Sequence, residues 1–438
     1  MGTSIGGLVG GSYSLGYTAA EIEKIAKNRD WDALLSDDVP RIFLSKNDQL
    51  EKQRYLFSLP INSDNKLSLP QGVIKGQNVL NFFCGLADNV PENADFSKFP
   101  ISFACITADL ETGKEIVLTK GFLPTAMFSS MAIPAAFQSA ERDGLILIDG
   151  GVVNNFPTDV AKKMGADIII GVDIRNDFYG RGKLKSMNNV LGQLVNFFIQ
   201  DKDSVNNSLC DLIIRPNVTG YSISSFTNKA VDTLIVRGEI AAALVRDQIR
   251  GIKEKNKLEK QEKSRELVMP GTWRITDLDF TGSHHFDDAF LRKTMLLEFP
   301  GNYSYSEIKN ATDRLYGLGG FEKIYFTLID NGTGKTLNLN IVTVKEVALG
   351  IGFKANMTDA AALLLNVFQK DYKNIFSLLS LSTELSINPG IRIIAESSKR
   401  NFPAVGIEQE ASTRITTYST RGTRFLKQIS SIHQGLFI

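Results

Sequence analysis

The spacing of apolar positions divides the chain into three stretches. In the first, short continuous apolar runs alternate with helix-period segments. Leu145-Ile146-Leu147-Ile148 and residues 166–173 are runs of the buried-strand type, and a helix is predicted between them over 158–164. Strand, helix and strand with continuous apolar strands predict an α/β domain on a mostly parallel sheet with helices on both faces. Before them, helices are predicted from Ser4 to Ser14, from a Thr18–Glu21 capping box through Ala26, over 76–83 and through Ala126 and Met127. Strands are predicted over 41–44, 54–57, 101–108 and 115–118. Helices over 190–200 and 230–252 follow. The stripe Leu191, Leu194, Val195 and Phe198 on the former is assigned to core packing.

The second stretch begins after the mixed charge run 253–266 and the Pro270-Gly271 break. It predicts a strand over 273–281, helices over 287–295 and 306–316, and strands over 321–329 and 335–343. Asn331-Gly332 between the last two is a hairpin signal. This is one small α+β module. In the third stretch the period becomes two. Leu379, Leu381, Thr383, Leu385 and Ile387 face one way, and Ser380, Ser382, Glu384 and Ser386 the other. Val347, Leu349, Ile351 and Phe353 alternate with Ala348, Gly350 and Gly352, and residues 363–368 fit a strand too. Five or six such strands are expected, with turns at Asn388-Pro389-Gly390 and Asn401-Phe402-Pro403. Period two suits membrane β-barrel strands and soluble sandwich strands equally.

Composition adds exclusions. The chain has 438 residues, 43% hydrophobic and 22% charged, with a formal net charge of +1, which gives no reason to expect a nucleic-acid partner. Cys84, Cys105 and Cys210 are widely spaced and read as small hydrophobes, not as disulfide or metal ligands.

The candidate chemistry starts at Gly2-Thr3-Ser4-Ile5-Gly6. Gly-x-Ser-x-Gly is the spacing of a nucleophile elbow, a sharp strand-to-helix turn that pushes the serine hydroxyl out of the backbone. Gly2 and Gly6 are expected to be small because strand and helix nearly touch. Gly6 and Gly10, four apart, would share the close face of the helix. The only histidines are His284, His285 and His433, all beyond the α/β domain, which excludes a Ser-His-Asp triad within it. The base for Ser4 is then a carboxylate or a lysine. Asp149 is the best candidate, because it ends a buried strand and Gly150 and Gly151 leave room for a second segment. Burial would raise its pKa and make it a better base. Asp167 and Asp173 read as structural, and His284 and His285 as exposed loop residues.

Gly2-Thr3-Ser4-Ile5-Gly6 with Asp149-Gly150-Gly151 resembles the Ser-Asp dyad of the patatin-like phospholipases. Asp109-Leu110-Glu111-Thr112-Gly113, Ser130-Met131-Ala132-Ile133-Pro134-Ala135-Ala136-Phe137 and the run from Asp149 to Pro157 resemble further segments of that family. The resemblance covers most of 1–260. Residues 271–345 resemble a POTRA module, and 346–438 the first strands of surface-antigen-type outer-membrane barrels. The implied organisation is a patatin-like domain at 1–262, a linker at 263–270, a POTRA-like module at 271–345 and incomplete barrel strands at 346–438.

The resemblance implies a lipid acyl hydrolase of phospholipase A or esterase type, working through an acyl-enzyme. Ser4 would be the nucleophile, Asp149 its base and the Ile5 N–H an oxyanion donor; no metal or organic cofactor is implied. Its partners would be a phospholipid or other lipid ester and the outer membrane of a Gram-negative bacterium, with a homodimer left open. The family's other oxyanion donors lie in a glycine-rich loop upstream of the elbow, and the chain starts after that loop. The expectation is a chain cut at both ends, with little activity of its own. A translocation or assembly protein carrying a non-catalytic, lipid-binding patatin domain is the alternative.

Overall fold

The computed structural model describes the chain except residues 45–48, 50–53, 62–66, 68–71, 89, 176–179, 181, 183–189, 191–192, 194–201, 203, 222–224, 258–270, 284–285, 320, 344–346, 355–360, 373–375, 387, 398–404, 421–422 and 438. It divides into two units. One takes Met1–Asp37, Gln71–Pro270 and Thr327–Ile329, and the other Asp38–Pro70, Gly271–Phe326 and Asp330–Ile438. Most of the helix predicted over 190–200, with its apolar stripe, lies outside the described residues, as do His284, His285, the 263–270 linker and the Asn401 turn.

In the first unit β1 (Gly2–Thr3) leads into α1 (Ile5–Ser14), and α2 (Ala19–Lys27) follows. The predicted capping box is present: Glu21 N–H donates to Thr18 Oγ1 at 3.2 Å and Thr18 N–H donates to the Glu21 carboxylate at 2.8 Å. The helix predicted over 76–83 is α3 (Gln77–Leu86), buried along its whole length. The central strand is β2 (Cys105–Asp109), also buried throughout. β3 (Glu115–Leu118), α4 (Leu123–Ser130), β4 (Ala140–Arg142), β5 (Leu145–Asp149) and α5 (Thr158–Lys163) come next.

β1 pairs parallel with β2, Thr3 opposite Ile106. β5 pairs antiparallel with β2, Asp149 opposite Thr107, and β3 runs antiparallel to β2 from Cys105 to Ala108. Because β3 takes one edge of β2, β1 and β5 must share the other. Their C-terminal ends therefore meet beside Ile106 and Thr107.

The expected mostly parallel sheet is corrected here. Only β1–β2 is parallel in this sheet; β2–β3, β2–β5 and β4–β5 are antiparallel. An apolar run carries no direction. Direction comes from the tight turns at Gly113 and at Asp143-Gly144, all at positive φ, which fold the chain straight back. Nor is the 166–173 run one buried strand. It narrows to Ile170–Val172, which pairs parallel with Leu212–Ile214 in a separate sheet and leaves Ile170 and Val172 about half exposed. Residues 41–44 form a 3-10 turn after Pro40 instead of a strand. The helix predicted over 230–252 breaks at Val245 (φ −106°, ψ 10°) into α6 (Asn228–Leu244) and α7 (Arg246–Lys255).

In the second unit β6 (Trp273–Ser283), α8 (Asp288–Met295), β7 (Gly301–Tyr303), α9 (Tyr305–Tyr316), β8 (Phe321–Asp330) and β9 (Lys335–Thr343) form an α+β module with sheet order β7-β6-β9-β8. β6 and β9 are parallel. Gly332 has the positive φ of the predicted hairpin turn.

An antiparallel sheet follows: β10 (Val347–Lys354), β11 (Ala362–Tyr372), β12 (Phe376–Leu385), β13 (Gly390–Ser397), β14 (Val405–Thr420) and β15 (Thr423–Phe437). Its seventh strand is the one expected over 54–57, which falls at Phe57–Pro60 and joins this sheet instead of the α/β domain. Phe57–Pro60 pairs antiparallel with the free edge of β10, Phe57 opposite Ile351 and Pro60 opposite Ala348. The sequence leaves this excursion with the α/β domain, because nothing local says which edge a four-residue strand will join.

One face of this sheet buries polar residues beside apolar ones, and the other exposes large apolar side chains. Asn366, Ser380 and Ser382 are buried, with both serine hydroxyls donating to Asn366 Oδ1 at 2.8 and 3.3 Å. Phe353, Val367, Leu381, Leu385, Ile391 and Ile393 are about half exposed or more. Ala348, Phe368, Leu378 and Ile394 pack together on the buried face. Among the described residues, no helix is long and apolar enough to cross a membrane.

Candidate active site

Ser4 stands between the last residue of β1 and the first of α1, at φ 54° and ψ −122°. A non-glycine residue at positive φ costs on the order of 1–3 kcal/mol and persists only where its surroundings impose it. Here the imposing contact is the crossing of strand and helix. A Cβ on Gly2 would lie 2.2 Å from the Gly6 carbonyl carbon and oxygen and 2.7 Å from Gly7 N. Gly6 differs from its expected role, since a Cβ there would meet nothing within 4 Å. The close face of α1 is formed by Gly7, against Ser130 and Cys105, and by Gly10 and Gly11, against Phe103 and Met127. Four-residue spacing identified a glycine face, but only the helix phase says which glycines lie inward.

The elbow is fixed by a relay through Ser130, the last residue of α4. Ser4 N–H donates to Ser130 Oγ at 3.0 Å, and Ser130 Oγ–H donates to Ile106 C=O at 2.6 Å. Ser130 thus ties the nucleophile's backbone to the central strand. On the other side, Thr3 Oγ1 donates to Asn154 C=O at 2.8 Å. Asn154 and Asn206 are buried; Asn154 Nδ2 donates to Glu115 and Asp159, and Asn206 Nδ2 donates to Asn154 Oδ1.

Asp149 arrives from β5. Its N–H donates to Ala132 C=O at 2.9 Å. Thr107 Oγ1 donates to Ile148 C=O at 2.5 Å, fixing the last turn of the strand. Gly150 must be glycine, because a Cβ would lie 2.4 Å from the Ile106 carbonyl oxygen. Gly151 N–H donates to Asp149 Oδ1 at 2.7 Å.

The Asp149 side chain is buried beside Ser4, so the structure brings together the two residues singled out from sequence, 145 positions apart. Burial pushes its carboxyl up to about 6, against the pull of the Gly151 N–H and the Ser4 side chain. Cys105 lies on the strand beside them, but burial pushes its thiol up to about 12, which removes it as a competing nucleophile at neutral pH. Ile5 is the first residue of α1, where the N–H of a helix has no intrahelical partner and the dipole favours negative charge.

The other carboxylates flagged from sequence are elsewhere. Asp173 accepts from Arg175 Nε at 2.7 Å and from Arg215 Nε at 3.3 Å, a structural cluster, and Asp167 is exposed. Among the described residues, no group of three His, Cys, Asp or Glu side chains could hold a metal ion. Ser130 and Asn154 were quoted only within longer segments. Their signal was present, but a buried serine or asparagine says nothing of its partner until the sheet is assembled.

Ser130→Ala should leave the Ser4 N–H without its partner. The expected cost is about 1–3 kcal/mol of stability and about a tenfold loss in the rate at which Ser4 is acylated. Thermal melting and fluorophosphonate labelling rates check the two parts separately.

A serine on a strained strand–helix turn thus stands beside a buried carboxylate in an α/β domain. Residues 1–162 match the family model for patatin-like phospholipase, so the chain carries a patatin-like phospholipase domain at its N-terminus. An NTE family protein of Mycobacterium tuberculosis is 27% identical over 25% of this chain and 29% of its own length. Patatin-like phospholipase domain-containing protein 7 of Rattus norvegicus is 31% identical over 20% of this chain and 6% of its own. The chain spans less than a third of the curated relatives it matches. The crystal structure of BamA from Haemophilus ducreyi lacking POTRA domains 1–3 overlaps 37% of this chain and 32% of its own, at 14% identity and TM-score 0.28, too slight a likeness to carry any argument.

Proposed function

We propose that the first unit is a lipid acyl hydrolase working through a Ser4–Asp149 dyad. This reading is carried by a serine at positive φ beside a buried carboxylate whose pKa is pushed up to about 6. Ionised Asp149 takes the proton of Ser4 Oγ as the oxygen attacks an ester carbonyl. The developing oxyanion lies at the start of α1, where the Ile5 N–H belongs to the first helical turn and has no intrahelical acceptor. Asp149 then gives its proton to the departing alcohol, which leaves as the lysolipid. Water attacks the acyl-serine with Asp149 again as base, and the fatty acid departs. No step requires a cofactor. Ile5, Val9 and Tyr13 are partly exposed at one-turn intervals along α1, an apolar stripe leading away from Ser4 that suits an acyl chain.

The same proposal covers the rest of the chain: a patatin-like domain at 1–262, a 263–270 linker, a POTRA-like module at 271–345 and outer-membrane strands at 346–438. Parallel β6 and β9 within a strand–helix–helix–hairpin order support the module, and the outward apolar face of β10–β13 supports the membrane strands.

The test is product analysis on a phospholipid carrying two different acyl chains. Equal amounts of one lysolipid and one fatty acid are expected. The rate should rise about tenfold per pH unit below the Asp149 pKa and level off above it, because only the ionised carboxylate accepts the serine proton. A rate independent of pH between 4 and 8, or products from head-group cleavage, would reject the dyad.

A further inference from the structure

We propose that α6 and α7 form a docking surface for an anionic phospholipid bilayer. α6 packs by one face, through buried Ala230 and Ala241. A solvent-facing flank of the same helix carries Val236, Ile240 and Leu244, which are 49%, 56% and 81% exposed, with exposed Ala243 beside them. Four apolar residues on one solvent-facing flank of one helix are a patch and not the scattered single exposures normal for protein surfaces.

What covers the patch is indicated by α7, which begins two residues after Leu244. Arg246, Arg250 and Lys253 recur at helical spacing and form one exposed basic stripe. Arg250 is tied only to exposed Asp247 at 3.3 Å, a pair worth little in water. Residues 236–257 hold six cations (Arg237, Arg246, Arg250, Lys253, Lys255 and Lys257) against three acids (Glu239, Asp247 and Glu254). Apolar side chains beside a basic stripe are the chemistry of an interfacial helix, which buries the first among acyl chains and sets the second against lipid phosphates. A second copy of the chain fits less well. An isologous contact would set the same basic stripe against itself.

The docking is independent of the hydrolase reading, because neither Ser4 nor Asp149 takes part. The test uses the full chain reconstituted into vesicles of phosphatidylcholine alone or of equal parts phosphatidylcholine and phosphatidylglycerol. A bimane probe is placed at Leu244→Cys in a Cys210→Ser background and read with a nitroxide-bearing lipid. Quenching is expected in the anionic vesicles only, lost at high salt, and absent for the same probe at Lys98→Cys. Reversing Arg246, Arg250 and Lys253 to glutamate should weaken the docking equilibrium by about fivefold per cation, on the order of a hundredfold together. Ser4→Ala should dock as wild type does. Equal quenching in both vesicle types would overturn the proposal. So would a probe shielded only as protein concentration rises, which would assign the surface to a second copy.

Discussion

Replacing Asp149 by asparagine should cut acylation of Ser4 by about 10²–10⁴ while leaving the fold as stable as before or more so. The two effects share a cause. Burial holds the folded-state pKa at about 6, above the ordinary aspartate value of 3.8. A group whose folded pKa is raised contributes stability that is fully present below the unfolded value and is lost as pH rises through the folded one. Above pH 6 the folded protein therefore carries an ionised carboxylate at a cost of about 3 kcal/mol, by the usual conversion of pKa shift to free energy. Asparagine keeps an oxygen for the Gly151 N–H and carries no charge. At pH 8 the variant should be more stable by about 1–3 kcal/mol, and the difference should vanish near pH 4. Denaturant titrations at the two pH values measure this directly. A carboxylate kept for structure would show the reverse, a loss of stability on substitution at high pH.

The second large effect concerns the glycine two places before the nucleophile. Gly2→Ala should cost roughly 3 kcal/mol or more and remove Ser4 labelling, because the added Cβ meets main-chain atoms of α1 that cannot rotate away. Gly6→Ala should be tolerated. Its Cβ has open space, and alanine inside a helix is favoured over glycine by about 0.5–1 kcal/mol. The elbow spacing treats these two glycines alike; the geometry separates them. Melting temperatures of the two variants, measured side by side, decide the matter.

That contrast marks how far the sequence could be read. The elements around the site were legible because local chemistry dictates them. Thr18 and Glu21 close a capping box wherever they lie, Ser304 and Glu307 do the same for α9, and Asn331-Gly332 turns a hairpin in any context. The absence of histidine from the α/β region excluded a Ser-His-Asp triad there and left a carboxylate or a lysine as the expected base for Ser4. Strand direction was not legible, because tight turns reverse β2 into β3 and β4 into β5, whereas the antiparallel contact that sets Asp149 opposite Thr107 joins segments separated by β3, α4 and β4. Nor was the role of Ser130. Its two hydrogen bonds reach residues 126 and 24 positions away, and only the assembled sheet brings those partners within range. The two faces of the C-terminal sheet show the same limit. Period two predicted alternation, while the burial of Asn366 and the exposure of Leu381 show which side faces inward.

The central claim is that Ser4 is a nucleophile activated by Asp149. Its most direct test is the intact mass of the 438-residue chain after exposure to a fluorophosphonate, with the adduct located by peptide sequencing. A single adduct on Ser4, absent in Ser4→Ala and nearly absent in Asp149→Asn, is the predicted result. An adduct on another residue, or unchanged labelling in Asp149→Asn, would contradict it.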